Sequence, residues 1–114
     1  MAWESFGIDH YEVCMVAEGT PGYAGVYAFI RLHWLSKQRA TLWFHRDGVG
    51  ALPANGSYSS GGFINYSARY RQGELGHAVD LLRHEKPVSF QWNEGTKGAM
   101  LSTGKEPVGE HEVP

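Results

Sequence analysis

The ten residues from Gly25 to Trp34 alternate between two faces, and this alternation restricts the fold more than any other feature of the sequence. A period of two residues is that of a half-buried β-strand, because successive side chains of a strand point to opposite faces. A helix would instead group residues three and four positions apart. The side chains predicted to point inward are Val26, Ala28, Ile30, Leu32 and Trp34. The core is therefore predicted to form on a β-sheet.

Five more segments have strand composition, and turn-rich stretches separate them. A short polar connection, 36–39, leads from the first strand to the next and predicts a hairpin. The six predicted strands are 11–18, 25–34, 40–46, 63–70, 88–92 and 99–103. The glycine-rich segment 47–62 is predicted to be a long loop, in which the Asn55-Gly56 pair could turn a small internal hairpin.

One amphipathic helix is predicted over residues 74–85. At 100° per residue, five apolar side chains share one arc of this helix, so it should lie on a sheet or barrel surface. They are Leu75, Ala78, Val79, Leu81 and Leu82. Pro87 discourages continuation of the helix.

Together these elements predict a mainly β protein at the border with α+β, an antiparallel sandwich or barrel of about six strands with one amphipathic helix. A single domain is predicted over residues 1–103, followed by an acidic, flexible tail at 104–114. No secretory signal begins the sequence, and no apolar run approaches the ~20 residues that a membrane helix needs. With one cysteine, no internal disulfide can form. We therefore expect a cytoplasmic protein without a membrane partner.

Charge is unevenly distributed along the 114 residues, whose net charge is −2. Residues 1–30 carry −4, residues 31–71 carry +5 and residues 72–114 carry −3. The simpler interpretation is that segments of opposite sign pack beside each other. The alternative is that the middle segment presents a basic surface to an anionic partner.

A set of outward-pointing side chains combines aromatic rings with basic groups. If Val26 and the alternate residues after it point inward, then Phe29 and the basic residues of its strand point outward. The next strand adds one aromatic and one basic residue to this surface, and two arginines of a later strand could join them. The residues predicted to bind a ligand on this surface are Arg31, His33, Trp43, His45, Arg69 and Arg71. Such a surface suits single-stranded nucleic acid, anionic small molecules or protein partners. The acidic net charge argues against nucleic acid.

Motifs that carry chemistry are few. Asp47, at the end of a strand and beside a glycine-rich loop, is the best-placed candidate for a catalytic acid. Gly48-Val49-Gly50 resembles a phosphate-binding loop only in its glycines, because neither a helix nor a Gly-Lys-Ser/Thr ending follows. A nucleotide-binding fold is therefore rejected.

Metal and thiol chemistry are not expected. His77, Asp80 and His84 share one helical arc, but the two histidines are two turns apart, about 10.5 Å of rise, which is far for one ion. Cys14 has no motif around it and is predicted to be an inert, packed thiol. No metal and no cofactor are predicted.

Three functional hypotheses follow. The first is a non-enzymatic binding or interaction domain that recognises a small anionic ligand or a protein partner through the aromatic and basic surface and the 47–62 segment. We expect it to be a homo-oligomer, since exposed aromatics favour self-association. The second is a small hydrolase that uses Asp47. The third is a structural homo-oligomer subunit.

Overall fold

A computed structural model describes residues 3–104, apart from the side chain of Ser60. Eight strands and one helix occur in this part of the chain, with a short 3₁₀ turn at Gln72–Glu74 just before the helix. The elements in chain order are β1 (Glu4–Gly7), β2 (His10–Met15), β3 (Val26–Trp34), β4 (Lys37–His45), β5 (Gly56–Ser60), β6 (Phe63–Arg71), α1 (Leu75–His84), β7 (Val88–Asn93) and β8 (Gly98–Thr103). The tail predicted at 104–114 lies outside the described residues, except for Gly104.

The strands form two sheets that are not closed into a barrel. A five-stranded sheet has the order β2-β3-β4-β6-β5, and a three-stranded sheet has the order β1-β7-β8. The mainly β class, the two sheets and the single helix confirm the prediction. In the part of the chain that the structure describes, no helix has the length and apolar character needed to cross a bilayer.

One strand pair departs from the antiparallel prediction. β4 and β6 pair in parallel, while the other neighbouring pairs are antiparallel. The reason is β5, which lies within the segment predicted to be a loop and pairs with β6 at the edge of the sheet. Their connection is at Gly61-Gly62, where both φ angles are positive, and not at Asn55-Gly56. β6 therefore returns beside β4 in the same direction.

The core lies between one face of the five-stranded sheet and a second layer made of α1 and the three-stranded sheet. Its buried members are Ala28, Ile30, Leu32, Ala40, Leu42, Phe44, Tyr66, Ala68, Ala78, Phe90 and Trp92. Leu75, Val79 and Leu82 of α1 pack against this core as predicted. Leu81 does not join it and instead borders a groove at the surface.

Tyr66 of β6 connects the two sheets. Its ring centroid lies 4.9 Å from that of Trp92 and 5.8 Å from that of Phe90, both on the three-stranded sheet. Its hydroxyl donates a hydrogen bond to Oε1 of Glu4 on β1, at 2.7 Å. Burial, together with this carboxylate, raises the pKa of Tyr66 to about 12. The hydroxyl therefore stays protonated and remains a donor.

The start of β3 breaks the predicted alternation. The pairing of β3 with β4 shifts between Val26 and Ala28, so that Val26 is the partner of His45. As a result Tyr27, and not Val26, packs against the core cluster. Ala28, Ile30 and Leu32 point inward as predicted, whereas Trp34, which follows a second shift between Leu32 and His33, does not join the core cluster.

The turn between β3 and β4 offers a test of backbone strain. Leu35 and Ser36 have φ angles of 54° and 67°, a left-handed conformation that Asn and Gly adopt more readily. The Leu35 side chain is exposed, so it contributes little packing. The double change Leu35→Asn, Ser36→Gly should raise the free energy of unfolding by about 1 kcal/mol, measured by urea denaturation. Leu35→Ala, which keeps an unfavourable residue there, should give no gain; a gain of the same size would refute the backbone explanation.

Candidate functional site

The face of the five-stranded sheet that points away from α1 brings the predicted ligand-binding residues together. We call it the outer face. In one row across the sheet Phe29 pairs with Trp43, and Trp43 pairs with Arg69. In the neighbouring rows Arg31 is opposite Thr41, and His45 is opposite Arg71. The register therefore places these side chains on one surface, although it does not test whether they bind a ligand.

An aromatic stack occupies the centre of the outer face. Phe29 and Trp43 have ring centroids 5.1 Å apart, and Tyr23 stacks on Phe29 at 5.7 Å with an interplanar angle of 6°. Tyr23 comes from the turn-rich segment before β3 and was not predicted to belong here. Because it covers Phe29, that ring is only 6% exposed, and Trp43 is half-buried. The centre is thus a packed cluster and not an open aromatic platform.

Two arginines lie over the rings of this stack. The Arg31 guanidinium carbon is 4.9 Å from the Phe29 centroid, and that of Arg69 is 5.2 Å from the Trp43 centroid. Each guanidinium is attracted to the negative face of a ring. These contacts help to hold both guanidinium groups over the aromatic stack.

The two arginines differ in their charge partners. Glu12 of β2 lies 3.7 Å from Nη1 of Arg31, and its other oxygen is 3.0 Å from Nε2 of His33. Glu12 therefore balances the positive charge at this end of the face. Arg31 Nη1 also lies 4.0 Å from the Cys14 sulfur, and that thiol is half-buried.

Arg69 has no such carboxylate. Its Nη1 lies 3.4 Å from His45 Nε2, its buried Nε has no hydrogen-bond partner, and its backbone N–H donates to Asn55 Oδ1 at 2.8 Å. Nearby, Arg71 donates to the carbonyl oxygen of Val49 at 2.9 Å. Among residues 3–104 no acidic side chain forms an ion pair with Arg69 or Arg71. This end of the outer face therefore concentrates positive charge, and we call Trp43, His45, Arg69 and Arg71 the basic cluster.

The proton affinities in the basic cluster agree with this charge. Burial, and then the positive charges of Arg69 and Arg71, lower the pKa of His45 below its usual 6.5. Burial also lowers the pKa of Arg69. A guanidinium can only donate, so the 3.4 Å contact with His45 Nε2 agrees with a neutral ring whose Nε2 accepts. His45 is 4% exposed and is the buried member of the basic cluster.

A depression of about 520 Å³ lies at the same end of the sheet. Two glycine-rich segments, 18–25 and 46–49, form its walls. Tyr23 belongs both to this depression and to the aromatic stack, and Val49 lines the depression and accepts the hydrogen bond from Arg71. The volume is within the range of small-molecule sites.

Among residues 3–104, the other candidate residues do not form a recognisable catalytic arrangement. Asp47 is exposed on the wall of this depression, and its backbone N–H donates to Gln72 Oε1 at 3.2 Å. No base contacts its carboxylate in the part of the chain that the structure describes. The hydrolase hypothesis therefore stays a prediction. His77 contacts Glu74, and no group of three metal-binding side chains is placed to hold an ion among the described residues.

Comparisons with known proteins add no identity: no family model, curated protein or solved structure shows significant similarity to this chain.

The lowered pKa of His45 predicts a loss of stability in acid. The unfolded chain takes up the proton near pH 6.5, whereas folded His45 takes it up only at lower pH. Its contribution to the free energy of unfolding is therefore fully present above pH 6.5 and falls as the pH drops below that value. His45→Gln should weaken the decline that denaturant titrations record between pH 7.5 and 5. His77→Gln, at an exposed histidine, is the matched control. Equal pH dependence in the two variants would show that His45 titrates as an ordinary histidine.

Proposed function

We propose that the protein is a non-enzymatic binding domain for a small anion that carries a planar apolar group, and that the basic cluster is its binding site. The observation that supports this most directly is the Arg69 guanidinium, which is packed on Trp43 next to a buried His45 without a carboxylate partner among residues 3–104.

A partly buried cation without a counter-ion is unfavourable, because the charge is removed from water and nothing of opposite sign replaces the water. In most folded proteins such a group is paired. Here Glu12 fills that role for Arg31, and a bound anion would fill it for Arg69. The unpartnered Nε of Arg69 adds a hydrogen-bond donor that a ligand oxygen could satisfy.

The planar part of the ligand is inferred from the surroundings of the cluster. Trp43 is half-buried, and Tyr23 borders the adjoining depression. A flat ring entering that depression would contact aromatic carbon while its anionic group meets Arg69 and Arg71. A carboxylate or phosphate attached to an aromatic ring satisfies both requirements.

The proposal also includes a homo-oligomer in a reducing, cytoplasmic setting. Several large apolar side chains are exposed, which favours self-association. They include Trp3, Val13, Met15, Tyr58 and Ile64. Cys14, the single cysteine of the sequence, would stay reduced in such a setting. Light scattering after size-exclusion chromatography measures the oligomeric state directly.

Loss of the Arg69 charge should weaken binding. The probe is benzoate, compared with acetate, which lacks the ring, and benzyl alcohol, which lacks the charge. In calorimetric titrations benzoate should bind more tightly than either. Arg69→Gln should weaken benzoate binding roughly 10-fold or more, the usual effect of losing a charged hydrogen bond. Arg83→Gln, at an exposed arginine of α1, is the matched control and should bind as the wild type does. Equal binding of benzoate by both variants would refute this site.

Removal of the Trp43 ring separates a binding role from a core role. Trp43→Ala should abolish benzoate binding and leave the protein folded, because the ring is only half-buried and lies outside the core cluster. Trp43→Phe keeps an aromatic ring beneath Arg69 and should retain most of the affinity. Circular dichroism and thermal unfolding monitor the fold. If both variants unfold, Trp43 is a core residue and the proposed role is wrong.

A further inference from the structure

A groove runs between β8 and α1, on the opposite side of the molecule from the outer face. Its volume is about 260 Å³. One wall is the strand segment Ala99, Met100 and Leu101, and the other includes Ala78 and Leu81 of the helix. Tyr70, Glu74 and His77 also line it.

The strand wall of the groove belongs to the outermost strand of its sheet. The side chains of Ala99 and Leu101 pack toward the core, and Met100 between them is exposed, as expected when successive side chains of a strand point to opposite faces. In the part of the chain that the structure describes, β8 is an edge strand that pairs with β7 alone. Proteins usually protect such edges with charges, prolines or bulges. The sequence of β8, GAMLST, has no charge and no proline, and its pairing with β7 is regular.

The groove is long enough for an extended segment. A second depression continues along the same helical face, past His77, Asp80, Leu81 and His84, and shares two of these residues with the first. The lining beside β8 covers three residues, Ala99 to Leu101, which is about 10 Å of strand, and the second depression extends the helix wall as far as Glu85.

We propose that this groove binds an extended peptide segment of a partner protein, which adds to β8 as a fourth strand. An apolar side chain of the peptide packs against Leu81 and Ala78, and cationic side chains face the carboxylates of Glu74 and Asp80. Charge complementarity supports the cationic character, because neither lysine nor arginine lines the two depressions among the described residues. This site is independent of the basic cluster.

The chain's own C-terminal segment is a poorer match to the groove. Residues 105–114 contain one lysine and three glutamates, so they carry the same sign of charge as the groove. Like charges brought together would oppose that docking. A partner with basic residues on alternate positions has no such penalty.

The first experiment compares two labelled peptides by fluorescence anisotropy with the full chain. They are acetyl-KVKIKVK-amide and acetyl-EVEIEVE-amide, which have the same apolar residues and opposite charge. The basic peptide should bind, and the acidic peptide should bind at least 10-fold more weakly. Equal binding of the two peptides, or no binding of either at millimolar concentration, would overturn the proposal.

Two substitutions locate the binding to the groove. Leu81→Lys should abolish binding of the basic peptide, and Leu35→Lys, at an exposed leucine of the β3–β4 turn, is its matched control. Asp80→Lys changes only an exposed charge and should weaken binding several-fold without affecting the fold. Unchanged binding by both groove variants would exclude this location.

Strand addition has its own signature. An added strand uses the amides of one edge of the peptide and leaves those of the other edge in solvent. Methylating every second backbone nitrogen of the basic peptide should therefore abolish binding in one register and spare it in the other. Equal effects in both registers would overturn strand addition.

Other occupants of the groove give different results. If a chain that ends at Gly104 binds the basic peptide more than 10-fold more tightly than the full chain, residues 105–114 occupy the groove. If the full chain dimerises and Leu81→Lys abolishes the dimer, a second copy occupies it. Either result would replace the partner peptide proposed here.

Discussion

The contact on which the architecture depends is the packing of Tyr66 between the two sheets. Its ring meets Phe90 and Trp92, and its hydroxyl is held by Glu4. Through these contacts the three-stranded sheet and α1 cover one face of the five-stranded sheet. The opposite face is then left for side chains that do not belong in a core.

The outer face is not a simple solvated surface. Tyr23 closes over Phe29, and the two arginines lie on aromatic rings. Glu12 balances one arginine and leaves the other without a carboxylate. A sheet surface that needed only solubility would not bury an arginine beside a neutral histidine. The unequal charge across a few strands is the basis for proposing a binding site at one end of this face.

Much of the fold could be predicted from periodicity. The alternation in β3 and the apolar arc of α1 predicted most of the inward residues, with Val26, Trp34 and Leu81 as exceptions. The same parity placed Trp43 and Arg69 on a common face. Two strands escaped prediction for physical reasons. β1 is only four residues long, and β5, with the sequence GSYSS, has turn composition and becomes a strand through its pairing with β6. The parallel pairing of β4 with β6 depends on the order of the strands in the sheet, which the periodicity does not reveal.

The detail of the site could not be predicted, because it depends on contacts between distant segments. The partnership of Glu12 with Arg31 follows from strand register, which the sequence leaves open. Tyr23 lies in a stretch typical of turns. The only hint that its ring packs on Phe29 is the presence of an aromatic residue among glycines. The groove beside β8 required knowledge of which strands are edges.

The short strand β1 has a consequence for the order of folding. It pairs with β7 across more than 80 positions of sequence, whereas β7 and β8 are joined by a tight turn. Closing so long a loop costs more chain entropy than forming a local hairpin, so β1 is expected to arrive after the β7–β8 pair. Until then β7 is itself an open edge. The edge of β7 is therefore exposed to other chains for as long as β1 takes to pair with it.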